Sequence, residues 1–270
     1  MNRFLRLISL CLVFSSTKAQ KNEPCTTLME AKQNPSAVKK MVLQEQQLDY
    51  WDLRHLDLTL FKNLEELFLD RNFFRATPYT VGNLPSLKVL SLSHNWMPGI
   101  EPHVVQLQSL QKIDLSYNHM KAFNHYSVNL GNLKNLEVLN LSHNKIKEVN
   151  DRIGRVAALK HLDLSYNRLV SAPRSIGRLK RLELLNLAGN KIEKIPLTFA
   201  KLKRLEVLDY RNNQLTKVGL LKHLKGLKKL YLSGNFIPPK EVDKLQKKLP
   251  NCKIYHLPQV NDLFTDHSTN

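Results

Sequence analysis

Residues 182–202 read LELLNLAGNKIEKIPLTFAKL, with leucines at 182, 185 and 187 and an asparagine at 190. Leu185 and Leu187 are two residues apart, the period of a strand, so both side chains point to one face. Phe199 and Leu202 are three apart, which suits one turn of helix or 3₁₀. Pro196 precedes that turn, where a missing N–H costs least. A stretch this short cannot bury its apolar side alone, so it predicts neighbours of the same kind.

The neighbours are there. The pattern L-x-x-L-x-L-x-x-N appears eight times, with its asparagine at Asn72, Asn95, Asn118, Asn144, Asn167, Asn190, Asn213 and Asn235. The steps between them are 23, 23, 26, 23, 23, 23 and 22 residues. A degraded copy precedes them at Val38, Met41, Leu43 and Gln46. Another follows at Leu249, Cys252 and Ile254, read with Cys252 one step of 22 after Leu230. That makes ten turns, with atypical ends where a stack must close its core against water. The recurring asparagine is expected to turn inward and satisfy backbone groups that would otherwise be buried unpaired. A second apolar pair recurs opposite the strands, as in Val81 and Leu84, Ile153 and Val156, and Ile176 and Leu179.

These residues resemble the leucine-rich repeat family, in the type ending N-x-L-x-x-I-P-x-x-I-x-x-L. The resemblance covers residues 37–257, and the closing segment from Leu249 to Ile254 is similar to that of secreted bacterial members. It implies an α/β fold: a right-handed solenoid shaped like a horseshoe, with a parallel β-sheet on the concave face and short helical or 3₁₀ turns on the convex face. The expected organisation is a signal peptide over 1–20, an N-terminal cap over 21–36, the solenoid over 37–257 and a polar tail over 258–270.

The signal peptide is read from Arg3 and Arg6, the short apolar run Leu7 to Phe14, and the small residues ending at Ala19. It implies a secreted, periplasmic or cell-surface protein. An uncleaved N-terminus would instead make the chain an intracellular signalling scaffold. Of the three cysteines, Cys11 falls in this segment. Cys25 and Cys252 lie nine strand steps apart, roughly 40 Å at about 4.8 Å per step, too far for one disulfide. Cys252 reads as a small buried hydrophobe, and Cys25 as a free or intermolecular thiol. The longer step from Asn118 to Asn144 places an insertion around His125, Tyr126 and Ser127, expected on the surface.

The outward strand positions give the candidate site. The residue between the paired leucines runs Phe68, Ser91, Asp114, Asn140, Asp163, Asn186, Asp209 and Tyr231, with Lys253 assigned to the last copy. The next outward position is mostly serine, and beside it His94, Tyr117, His143 and Tyr166 alternate. Hydrogen-bonding groups on a rigid frame with aromatic anchors suit a protein or peptide partner. Asp114, Asn140, Asp163, Asn186 and Asp209 are therefore expected as polar contacts, and Phe68, Tyr117, Tyr166 and Tyr231 as anchors. No cofactor, catalytic or metal site is expected. Asp114, Asp163 and Asp209 fall on separate strands, further apart than a glycosidase pair allows. His94 and His143 are two strands apart, too far to share a zinc unaided. The formal sequon Asn140-Leu141-Ser142 falls out of the repeat pattern itself.

With 41 Lys and Arg against 23 acidic residues, the chain carries a formal charge of +18. From Lys145 to Lys229 there are 21 basic and seven acidic residues, a surplus of 14, placed mostly on the convex turns. The alternative function is thus electrostatic binding of a polyanion, an anionic envelope lipid or an acidic glycan, through a basic convex wall. Nucleic acid is disfavoured, because no stacking aromatics interleave with these basic residues. No run of eighteen apolar residues exists to span a membrane. The pattern leaves the oligomeric state open.

Overall fold

A computed structural model describes residues 24–49, 58–123 and 129–257. The leader segment with Cys11, the insertion at His125 to Ser127 and the tail 258–270 lie outside the described residues. The described residues form one ten-stranded parallel sheet in strict sequence order. The strands are β1 Lys40–Val42, β2 Glu66–Phe68, β3 Val89–Ser91, β4 Lys112–Asp114, β5 Val138–Asn140, β6 His161–Asp163, β7 Leu184–Asn186, β8 Val207–Asp209, β9 Lys229–Tyr231 and β10 Lys253–Tyr255. Each is three residues long and, up to β9, is centred on the inward residue at the second leucine position of its copy.

The register from β1 to β9 pairs Met41, Leu67, Leu90, Ile113, Leu139, Leu162, Leu185, Leu208 and Leu230 in one inward column. These side chains are no more than 1% exposed. The convex pairs join them in the same core, with Val81, Leu84, Ile153, Val156, Ile176, Leu179, Phe199 and Leu202 all at 1% or less. Those pairs sit on 3₁₀ turns such as Asp151–Arg155, Arg174–Arg178 and Leu197–Lys201. Pro173 and Pro196 occupy the N-cap positions of the last two.

The inward asparagines do what their spacing requires. Asn167 accepts from the N–H of Ile146 at 3.0 Å and donates to the carbonyls of Leu141, Leu164 and Ser165 at 2.9–3.1 Å. One amide thus ties its own turn to the preceding copy. Asn72, Asn95, Asn118, Asn144, Asn190 and Asn213 repeat the arrangement.

The last copy departs from the sequence reading. Ile254, not Cys252, pairs with Leu230, and Tyr255 rather than Lys253 stands over Tyr231. The step is 24 residues because the convex side of this copy carries an α-helix. Among the described residues there are two α-helices, α1 Leu28–Gln33 and α2 Pro239–Lys248. An α-helix rises about 1.5 Å per residue against about 2.0 Å for 3₁₀, so spanning the same distance consumes more chain. The slip is two residues, which preserves the alternation of inward and outward side chains.

At the other end, Cys25 forms a bridge beside Met41 and is 4% exposed, so it closes the first turn as part of the core. Cys25 and Cys252 are both buried, unpaired thiols. Burial raises both thiols' pKa values, that of Cys252 to about 11. An intermolecular bond through Cys25 would require opening that turn.

Candidate functional site

Asp114, Asn140, Asp163, Asn186 and Asp209 stand side by side on β4 to β8, in direct register. Their polar atoms are largely engaged within the sheet. Asp114 accepts from the Ser116 N–H at 2.9 Å and hydroxyl at 2.7 Å with one oxygen, and from the Asn140 amide at 3.0 Å with the other. Asp163 repeats this with Ser165 and Asn186. Asn140 and Asn186 cap the backbone N–H of Ser142 and Ala188 through their own oxygens. Asp209, 6% exposed, takes its hydrogen bonds from the backbone and guanidinium of Arg211. Asp70, upstream on the same side, binds Ser91, the Ser93 N–H and Gln44. The ladder is a framework holding the strand ends, with Asp–Asn clamps across neighbouring strands.

The aromatic positions behave differently. His94, Tyr117, His143 and Tyr166 lie one per copy just past the strands, and all have positive φ of 51–53°. A left-handed residue with a side chain costs about 1–2 kcal/mol. It is held because its N–H still serves the ladder: Tyr117 donates to Ser142 at 3.0 Å and His143 to Ser165 at 2.9 Å. The left-handed turn lays each ring over the next. Successive centroids are 4.1, 4.0 and 4.3 Å apart, with interplanar angles of 8°, 7° and 14°. The stack stops at Gly189, where φ is +66° and an added Cβ would lie 2.7 Å from the Tyr166 ring. Tyr117 and Tyr166 remain 44% and 50% exposed. His143 has its pKa lowered, chiefly by burial and further by His94, while Asp163 opposes the shift.

The residue after each inward asparagine forms a second row beside this stack. Phe73, Trp96 and Phe236 are about half exposed there. Trp96 packs against His119 at 4.7 Å, and Lys145 lies 3.0 Å from the same imidazole. Trp96 and Phe73 are absent from the sequence-derived site. Their signal was a large apolar residue directly after the inward asparagine, a position that most other copies fill with polar side chains such as Arg168, Lys191 and Gln214.

The two remaining anchors sit far apart, Phe68 on β2 and Tyr231 on β9, about 34 Å at roughly 4.8 Å per strand. Each is paired with cations. Lys40 lies 4.9 Å from the Phe68 ring, and Arg211 lies 5.0 Å from that of Tyr231. Tyr231 stacks on Tyr255 at 4.6 Å, with Lys253 beyond at 5.1 Å from the Tyr255 ring. That Tyr pair depends on the slipped register of β10. Among the described residues no three His, Cys, Asp or Glu side chains converge as a metal site would require. No helix among them is long and apolar enough to cross a membrane.

Comparison with known proteins adds an independent line. A family model described as leucine-rich repeat region matches residues 129–256, and one described as leucine rich repeat matches residues 62–120. No curated protein sequence matches the chain. Among solved structures, a leucine-rich repeat protein of Leptospira interrogans is 30% identical, with a TM-score of 0.72 over 81% of this chain and 60% of its own. The plant peptide hormone receptor RGFR1, in complex with RGF2, is 24% identical, with a TM-score of 0.63 over 82% of this chain and 35% of that one. An internalin of Listeria monocytogenes is 14% identical, with a TM-score of 0.64 over 98% and 93%. The chain therefore spans less than two thirds of the length of the first of these and about a third of the second.

Proposed function

We propose, for a chain that belongs to the leucine-rich repeat family, that it is a non-catalytic module binding a protein or peptide through its concave sheet face and the rim where the strands exit. One observation carries this reading. Tyr117 and Tyr166 stay about half exposed on strained, left-handed backbone that the strand ladder holds in place, and Trp96 is half exposed as well. Exposed aromatic surface on a preorganised frame is the composition of a binding hot spot. The sheet carboxylates support the frame, and the rings would supply most of the contact energy. A plant peptide hormone receptor has the same fold, which is in keeping with a peptide-sized partner. The leader-like segment 1–20 fits a chain that meets its partner after export, and the N-terminal residue of the native protein checks that point.

The test is panning of a random peptide display library on the immobilised chain and on a Trp96→Ala, Tyr117→Ala, Tyr166→Ala variant. Substituting Asp114, Asp163 or Asp209 would confuse binding with stability, because their carboxylates hold the sheet. The expected result is a recurrent peptide family that the variant fails to retain although it still melts as a folded protein, at a temperature lowered by the lost ring stacking. Peptides captured equally by both proteins would remove the rim from the site, and a library without enrichment would argue against a peptide ligand.

A further inference from the structure

The convex side carries a different surface. The turns Asp151–Arg155, Arg174–Arg178 and Leu197–Lys201 stack one on the next. They align Arg155, Arg178 and Lys201 in one column. The segments that lead to the next strands add Lys180 and Lys203 in a second column, and Arg181 and Arg204 in a third. Arg178 lies across the preceding turn, where a Cβ on Gly154 would sit 3.2 Å from its Cδ.

These cations have few partners. Lysines at the strand-entry edge pair with glutamates at 2.7–2.8 Å: Lys88 with Glu65, Lys160 with Glu137, and Lys228 with Glu206. On the sheet face Asp209 takes Arg211. By contrast Arg155, Arg174, Arg178, Arg181, Lys201, Lys203, Arg204 and Lys222 are exposed and enter no ion pair among the described residues. Asp151 is the acidic residue on these turns, at the start of the first. Amid the array Leu197 is 75% exposed, on a turn registered to its neighbour by the Thr198 hydroxyl donating to the Arg174 carbonyl at 2.7 Å.

We infer that this wall docks the protein onto an anionic phospholipid surface. The array is two-dimensional, several columns over three or more turns, and so matches a charged plane better than a single polymer thread. Five of its eight cations are arginines, whose planar fork suits phosphate oxygens. Leu197 projects where an interfacial apolar phase would receive it. Docking by the convex wall leaves the concave face free, so this inference and the peptide-binding reading stand or fall separately.

The test is co-sedimentation of the full chain with phosphatidylcholine vesicles, with and without about 30% phosphatidylglycerol, at low and high salt. Each basic residue near such a surface is worth about 1 kcal/mol, roughly a fivefold change in partitioning. The variant Arg174→Glu, Arg178→Glu, Lys201→Glu is therefore expected to lose at least a hundredfold, and Leu197→Ser to lose whatever binding persists in high salt. A companion with the same charge change at the far end of the stack, Lys32→Glu, Lys39→Glu, Lys62→Glu, is expected to sediment nearly as the parent does. Thermal melts confirm that each variant is folded. Equal binding to neutral vesicles, equal loss in both triple variants, or binding that the wall variant retains would overturn the inference. Retention on an immobilised acidic polysaccharide with none on vesicles would overturn it too, in favour of a glycan surface.

Discussion

Tyr210 stands where the other copies carry the third leucine of the motif, and it is completely buried. Its ring fills the core column, but its hydroxyl has no hydrogen-bond partner among the described groups. Burial alone pushes its pKa far above the usual tyrosine range. An unpaired buried hydroxyl costs about 1–3 kcal/mol. Tyr210→Phe keeps the ring and removes that cost, so it is expected to raise the unfolding free energy by about 1 kcal/mol in a denaturant titration. Asn167 is the opposite case, since its amide satisfies four backbone groups in two copies. Asn167→Ala strands them all, and a loss of about 3 kcal/mol or more is expected from the same titration. The inward role of the asparagines could be read from their spacing, because so regular a polar residue among leucines must be satisfied inside. The tyrosine hydroxyl could not be read, because its partnering depends on what the neighbouring copies place around it.

Among elements, the strands and 3₁₀ turns were visible because each copy repeats the same demand at the same spacing. Two features escaped that reading. Helix α2 replaced a 3₁₀ turn and moved β10 by two residues, which built the Tyr231–Tyr255 stack. The other feature keeps the repeat but does not show in the residue types: the left-handed turn after each strand. Tyr117 and Tyr166 are poor statistical choices for positive φ, and the stacked copies, with each N–H still in the ladder, hold them there beside His94 and His143. The alternation of His and Tyr was legible, the ring stack was not. The Asp and Asn positions were placed on the correct face, but their engagement with one another needed side-chain geometry. The ring stack also makes a pH prediction. The pKa of His143 is lowered, chiefly by burial, so the fold favours its neutral form. Its contribution is intact above the ordinary value of about 6.5 and is lost as pH falls through and below it. His103 has its pKa lowered by burial and acts in the same direction. The melting temperature should thus drop between pH 7.5 and pH 5, and by less in His143→Phe, which keeps a stackable ring without a titrating nitrogen. An identical drop in that variant would move the acid sensitivity elsewhere, with His103 the first candidate.

At the scale of the whole molecule, the decisive quantity is the surplus of 14 positive charges between Lys145 and Lys229. A protein stabilised by surface ion pairs loses stability when salt screens them. This chain has seven ion pairs among its described residues, and the six other than Arg211–Asp209 lie at largely solvent-exposed positions where each contributes at most about 1 kcal/mol. Against them stand eight unpaired cations stacked on adjacent turns, whose repulsion every copy adds to. Screening should relieve more repulsion than it removes attraction, because the Debye length shrinks from about 10 Å at 0.1 M to about 3 Å at 1 M. The melting temperature is therefore expected to rise with sodium chloride. Reversing one central charge, as in Arg178→Glu, should raise it at low salt and leave little further gain at high salt. If salt lowers the melting temperature instead, the wall is not self-repelling, and the case for an external anion weakens with it. If the expected rise appears, the convex charges lower the stability of the free protein. An uncompensated cost repeated across successive copies is what a surface kept for an anionic partner would show, since binding that partner removes the repulsion that folding alone leaves in place.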